Sequence, residues 1–327
     1  MHRQGDKILA GLAAVVLTAV GGCSGSLDSS DKIGDSASGV PVTSLKVMSF
    51  NVWVGASNVS NGPTKVLNAI RDAGADIVAM QESRGLAEQI ATELGWYSEQ
   101  AGTSVAVLSR YPITQTLGIA LNDAGLGVRV QLGSDPSQNI TVWSAHLTAF
   151  PYGPYDACLT RLSTTEIIAR QESTQLPEIE DILRQLQTDI ANADNAPVLL
   201  IGDMNTASHL DWTQATTDLH CGYTLNFPVT AAIEQAGLVD AYRSLHPDPR
   251  VDRGNTWSPI YQTFVYEGGT PEPQDRIDMV HYAGAAVTLQ SASVFVLGTP
   301  AQYPNHQDNE WPSDHAALVV TMNLVPP

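Results

Sequence analysis

The chain has 327 residues, with 34 acidic against 16 basic side chains, a formal charge of −18 and a hydrophobic share of 43%. That share suits a globular protein with a sizeable core. Lysine and arginine are too scarce to supply the phosphate contacts on which a polyanion depends, so the overall field repels nucleic acid, which is not expected as a partner.

In chain order, Met1–Lys7 carries Arg3 and Lys7, and Ile8–Val20 is apolar but too short to span a bilayer. It runs into Val20-Gly21-Gly22-Cys23, which resembles the bacterial lipobox, where the cysteine is acylated and becomes the mature N-terminus. Residues 1–22 are therefore expected to be a signal peptide, with Cys23 lipidated; an ordinary cleaved signal with an incidental cysteine is the alternative. Residues 23–43, rich in Ser, Gly and Asp, form a flexible tether, and residues 44–327 one domain. The protein is then exported and anchored in a membrane by its N-terminal lipid, facing the periplasm or the cell exterior. Lipidation leaves Cys158 and Cys221, which in an exported protein favour a disulfide over two unrelated buried thiols.

Strand-like runs follow at Leu45–Val54, Ile77–Gln81, Ser104–Leu108, Val128–Leu132, Ile140–Ala145, Val198–Ile201, Ile277–Tyr282, Val287–Val296 and Ala316–Leu324. Helical patterns cover Thr64–Ala73, closed by Gly74, Leu86–Leu94, closed by Gly95, and Leu176–Ala193, with an apolar stripe at Ile179, Ile182, Leu183, Leu186 and Ile190. Long irregular segments are expected at Phe150–Arg161, Thr206–Pro228 and Val251–Gln274, where loops of that length shape binding sites.

Six apolar runs stop abruptly at Asn, Glu, His or Asp: KVMSFN at Asn51, IVAMQE at Glu82, VWSAH at His146, VLLIGDMN at Asp203 and Asn205, DRIDMV at Asp278, and PSDHAALVV at Asp314 and His315. A buried strand that ends in such a residue delivers it to a sheet edge. Carboxylate and amide oxygens are hard ligands suited to Mg²⁺, Mn²⁺ or Ca²⁺, and an Asp at a strand end can activate water. Singly, Asn51 reads as a turn residue, Glu82 as a neighbour of a helix cap and either histidine as structural; together the set points to an enzyme.

The segments SFNVW, QES, VAVLSRYPI, AHL, GDMN, GLVDAY, DRID and SDH, in that order, resemble the endonuclease/exonuclease/phosphatase superfamily over nearly all of the chain after the tether. The resemblance implies a four-layer α/β sandwich, two mixed β-sheets packed face to face with helices outside. It implies a primary metal site at Asn51 and Glu82 with Asp314 close by, Mg²⁺ being the expected ion. Asp203 and Asn205 would align the attacking water or the leaving group, and His315 and His146 would face the scissile phosphate. A carboxylate of DRID would hold His315; Asp278 is favoured over Asp275 because it opens an apolar strand. Tyr155 and Arg161 are candidates for substrate phosphate, with a loop whose tyrosines merely pack as the alternative. If Cys158 joins Cys221, this loop is tied to the segment after Asn205. The expected activity is metal-dependent hydrolysis of a small-molecule or lipid-headgroup phosphoester. An exported nuclease and a catalytically silent binding protein are the alternatives.

Overall fold

Alternation fixes the strands. In β1 (Thr43–Asn51), Leu45 and Val47 face one side of the sheet and Met48 and Phe50 the other. The same two-residue period recurs in β2 (Ile77–Gln81), β4 (Val105–Ser109), β6 (Gly125–Gln131), β7 (Asn139–His146), β8 (Val198–Asp203), β10 (Asp278–Ala283) and β12 (Ala317–Leu324). The remaining strands are β3 (Tyr97–Ala101), β5 (Ile113–Ile119), β9 (Val239–Asp240) and β11 (Val287–Phe295). The computed structural model describes residues 43–135, 138–265 and 268–325, so the expected signal segment, Cys23 and the tether up to residue 42 lie outside the described residues.

The strands form two six-stranded sheets, in the orders β11-β12-β1-β2-β4-β3 and β5-β6-β7-β8-β10-β9. Both are mixed, because β1 and β2, and β7 and β8, run parallel among antiparallel neighbours. Leu45, Val47, Ile77, Ala79, Val105 and Val107 of the first sheet pack on Val128, Ile140, Val142, Leu199, Ile201 and Val280 of the second. Helices Gly62–Ala73 and Leu86–Leu94 cover Met48, Phe50, Val78 and Met80 on the outside of the first sheet. Helices Gln175–Ala191 and Pro228–Gln235 cover Trp143, Leu200 and Met279 on the outside of the second. This is the four-layer sandwich.

Three strands and several short helices depart from the expectation. β3 (YSEQA), β5 (ITQTLGI) and the two-residue β9 are mostly exposed on at least one face and carry no apolar run. Segment 150–161 is not irregular: Pro154 starts a helix over Gly153–Cys158. Segment 206–228 contains a 3₁₀ turn over Gln214–Leu219. Helix Thr164–Glu172 begins at a reciprocal cap between Ser163 and Glu166. A disulfide joins Cys158 to Cys221. Beneath it Ala157, Ile167, Ala207, Trp212, Leu225 and Phe227 form a small separate core.

The rows that face between the sheets matter most. Each is apolar through the core and turns polar at the same end: Leu45-Val47-Ser49-Asn51, Ile77-Ala79-Gln81, Ile140-Val142-Ser144-His146, Leu199-Ile201-Asp203, and Val280-Asp278 on a strand running the other way. A period of two thus stacks the polar residues over one end of the inter-sheet core.

Candidate active site

Strand register assembles the centre. His146 of β7 and Asp278 of β10 both lie opposite Asp203 of β8. Asp203 Oδ2 stands 3.7 Å from His146 Nε2 and 3.8 Å from His315 Nε2, and it accepts a hydrogen bond from Asn51 Nδ2 at 3.0 Å. Its other oxygen accepts from the Asn205 backbone N–H at 2.9 Å, while Asn205 Nδ2 donates to the Leu147 carbonyl. Asn205 is left-handed, with φ 47°, so GDMN turns sharply to cap the Asp203 carboxylate. Between β7 and β8 there is no room for a side chain at Gly202, where a Cβ would lie 2.0 Å from the Ala145 carbonyl oxygen.

Each histidine has its second nitrogen engaged. His315 Nδ1 lies 2.9 Å from Asp278 Oδ2, and His146 Nδ1 lies 2.7 Å from Ser104 Oγ. Thr256 Oγ1 accepts the backbone N–H of Ile277 and of Asp278, which fixes the start of β10. Burial pulls the His315 pKa down, but the negative charges of Asp278 and Asp203 outweigh it and lift it to about 10. Burial raises the Asp278 carboxyl, opposed by the charge of His315. Asp203, Asp278 and His315 also converge closely enough to hold an ion. With His315 Nδ1 directed at Asp278, we read them as a hydrogen-bonded relay instead.

Of the two DRID aspartates, Asp278 is the one on His315. Asp275 accepts hydrogen bonds from Trp212 Nε1 at 2.7 Å and from the Tyr152 hydroxyl at 3.4 Å, and burial raises its pKa to about 6. Arg276 between them is buried and paired with Asp211 and Asp240, which ties three segments together beneath the site. Asp211 receives both Arg243 and Arg276, and His209 lies away from the centre against Thr230 and Glu234.

The proposed metal ligands separate into two groups. Glu82 and Asp314 fit a divalent ion: Asp314 Oδ1 is buried without a hydrogen-bond partner, and burial, reinforced by the neighbouring Glu82 charge against that of His315, raises its pKa to about 7. A pair of hard oxygen donors with one orphaned atom suits Mg²⁺ or a similar cation. Asn51 lies between Glu82 and Asp203. Its Oδ1 accepts the Trp53 N–H at 3.0 Å, and its Nδ2 faces Asp203 and, at 3.5 Å, Glu82, so it spans the two carboxylates. Around Glu82 the backbone is strained. Glu82, Trp53 and Val54 all have φ between 48° and 56°, and the Val54 N–H reaches Glu82 Oε2 at 2.6 Å. A β-branched residue held left-handed is uncommon outside functional sites.

These groups open into a cavity of about 240 Å³ that includes Glu82, His146, Asp203, Asn205, Asp314 and His315. Tyr155 lines it. Arg161 does not: its guanidinium donates to the Cys221 carbonyl at 2.7 Å and lies 5.0 Å from the centre of the Tyr223 ring, so the expected phosphate contact is corrected. Residues not singled out from the sequence complete the walls, namely Trp53, Phe150, Tyr152 and Trp257, the last edge-on to His315 at 5.0 Å. Trp53 could have been inferred from its place beside Asn51; nothing in the sequence marks Trp257. A larger cavity of about 410 Å³, beside His209, Glu234 and His281, shares no residue with this one.

Residues 48–315 match the family model described as Endonuclease/Exonuclease/phosphatase family. The chain belongs to the endonuclease/exonuclease/phosphatase family. Members of this family are generally phosphoester hydrolases. A Caenorhabditis elegans relative, Uncharacterized protein F14F9.5, is 30% identical over 291 residues, covering 86% of this chain and 92% of the relative. Among solved structures, the catalytic domain of human nocturnin with bound sulfate is 16% identical with a TM-score of 0.56, over 86% of this chain and 93% of that one. Truncated C. elegans TDP2 is 15% identical with a TM-score of 0.55, over 85% and 97%. D. rerio TDP2 complexed with single-strand DNA product is 16% identical with a TM-score of 0.55, over 86% and 99%. At these identities the structures establish the shared family fold.

Proposed function

We propose that the protein is a divalent-metal-dependent phosphodiesterase acting on a small-molecule or lipid-headgroup phosphoester outside the cytoplasm. The observation that carries this is the convergence of His146 Nε2 and His315 Nε2 on one oxygen of Asp203, beside the orphaned carboxylate oxygen of Asp314. Mg²⁺ or a similar ion held by Glu82 and Asp314 would neutralise charge on a non-bridging phosphate oxygen. Asp203, steadied by Asn51 and the Asn205 N–H, orients the attacking water. His315, aligned through Nδ1 by Asp278, and His146, aligned by Ser104, turn their Nε2 atoms toward the phosphate. The water oxygen bonds to phosphorus as the P–O bond to the alcohol breaks, and one proton of the water ends on the departing alcohol oxygen, with no covalent enzyme intermediate. The test is hydrolysis of bis-p-nitrophenyl phosphate with Mg²⁺, Mn²⁺ or Ca²⁺ against a chelator control; absence of metal-dependent turnover removes the proposal.

A nuclease is the second reading, favoured by the D. rerio TDP2 structure with its DNA product and by aromatic walls on which bases can stack. The extracytoplasmic, lipid-anchored location rests on the segment ending at Cys23. A Cys23→Ser variant that still fractionates with membranes contradicts the anchor.

A further inference from the structure

We propose that one ester group of the substrate carries a quaternary ammonium, and that the Tyr152–Tyr155–Trp257 wall of the cavity binds it. This rests on the hydrolase reading above and names its substrate class. Three rings of the cavity wall share one arrangement: each gives its only polar hydrogen to a buried carboxylate. Tyr152 donates to Asp275 at 3.4 Å, and Tyr155 and Trp257 Nε1 both donate to Glu272 Oε1, the latter at 2.8 Å. Glu272 and Asp275 are 5% and 3% exposed, so they stand behind the wall and not in it. Two donors on one oxygen is the arrangement of an ionised acceptor.

The rings are then left without a donor for the substrate, and their electron density is enriched by the carboxylates they contact. Tyr152 meets Tyr155 edge to face at 4.8 Å, and Tyr155 meets Phe264 at 5.0 Å, so the wall forms an aromatic corner. Among the described residues no lysine or arginine lines the cavity, whereas Glu82, Asp203 and Asp314 do. Such a surface repels a second phosphate and has little to offer a sugar hydroxyl. It attracts a diffuse cation that donates no hydrogen bond, which is what a trimethylammonium group is. The hydrolysed phosphate itself would be met by His146, His315 and the metal-fitting carboxylates, and Trp257, edge-on to His315 at 5.0 Å, places the aromatic wall beside that group, so one cavity can take both charges of a zwitterionic ester.

The experiment compares the metal-loaded protein on p-nitrophenyl phosphorylcholine and on its uncharged carbon isostere, 3,3-dimethylbutyl p-nitrophenyl phosphate. Bis-p-nitrophenyl phosphate and a single-stranded oligodeoxynucleotide are run beside them. The choline ester is expected to show about a tenfold higher kcat/KM than the isostere. Glu272→Gln is expected to narrow that ratio. Equal rates on the two esters overturn the inference, as does faster cleavage of the oligonucleotide, which favours the nuclease reading. If no ester is hydrolysed, the hydrolase reading has failed. Calorimetry with phosphocholine and with 3,3-dimethylbutyl phosphate then decides the cation site by itself, since equal affinities overturn it. Glycerophosphocholine and phosphatidylcholine vesicles, assayed for release of choline or phosphocholine, identify a soluble or a lipid source; hydrolysis of either supports the inference.

Discussion

Replacing Asp278 by Asn tests whether the β10 carboxylate organises the site. The change is nearly isosteric, and it removes one charge from a contact of 2.9 Å whose two side chains are 0% and 6% exposed. Two unit charges about 4 Å apart at an effective dielectric of about 20 interact by roughly 4 kcal/mol. At about 1.4 kcal/mol per factor of ten, that corresponds to a loss of about 10³ in kcat. Asn also presents an N–H₂ that disfavours the tautomer with the proton on Nδ1, which works in the same direction. The assay is bis-p-nitrophenyl phosphate turnover at saturating metal, with thermal unfolding to show that the fold is kept. Asp275→Asn is the control, because its partners are Trp212 and Tyr152 and not a histidine. We expect Asp278→Asn to lose kcat with KM little changed and Asp275→Asn to keep most of its activity. The reverse pattern refutes the placement of Asp278 as the residue that orients His315.

Three further outcomes are expected. Saturating Mg²⁺, at about a hundred times its dissociation constant, is expected to stabilise the folded protein by roughly 2.7 kcal/mol, a shift that a Glu82→Gln/Asp314→Asn variant lacks; an unshifted wild type with every divalent ion tested contradicts the metal fit. Burial lowers the His281 pKa from 6.5 to about 4. Its contribution is therefore full above pH 6.5 and lost as the pH falls through 4, about 3 kcal/mol in all. The difference between the wild-type and His281→Gln stability curves should change over that window, and parallel urea midpoints from pH 7 to pH 4 refute it. The disulfide closes a loop with a sequence separation of 63 residues. Loop-closure entropy gives it about 4 kcal/mol, so Cys158→Ser/Cys221→Ser should unfold at a markedly lower urea concentration, and an unchanged midpoint argues against this contribution.

The central strands could be read from the sequence because they are apolar throughout, and a chemically distinct residue marks where each row leaves the core. Ile77–Gln81 and Leu86–Leu94 have the expected bounds, the helix because Gly95 closes it in the left-handed region at φ 69°. The edge strands β3 and β5 are polar on exposed faces, so no local signal separates them from loop. The site divides along the same line. Residues delivered by strands, such as Asp203 and His146, were legible. Arg161 was not, because a loop arginine takes whichever carbonyl and ring the tertiary fold brings near, here those of Cys221 and Tyr223. Asn51 was legible in position, while its contact with the Trp53 N–H was not, since that N–H is set by a left-handed turn. The aromatic wall comes from segments about a hundred residues apart, and no spacing rule links Tyr155 to Trp257.

Because the active site is the open end of the inter-sheet core, dry interior and wet chemistry meet within a single side-chain layer. That layer is Ser49, Gln81 and Ser144, all fully buried; Gln81 Nε2 reaches Ser144 Oγ across the sheets at 3.3 Å, while Ser49 Oγ and Gln81 Oε1 have no hydrogen-bond partner. Unsatisfied buried polar atoms are a cost to folding. Alanine, valine or leucine at these three places would lengthen the greasy interior by one step and make a sturdier protein. It would also withdraw the polar floor from under Asn51 and Asp203. Selection for heat resistance alone should therefore drift toward apolar residues at these positions and yield well-folded, sluggish enzymes.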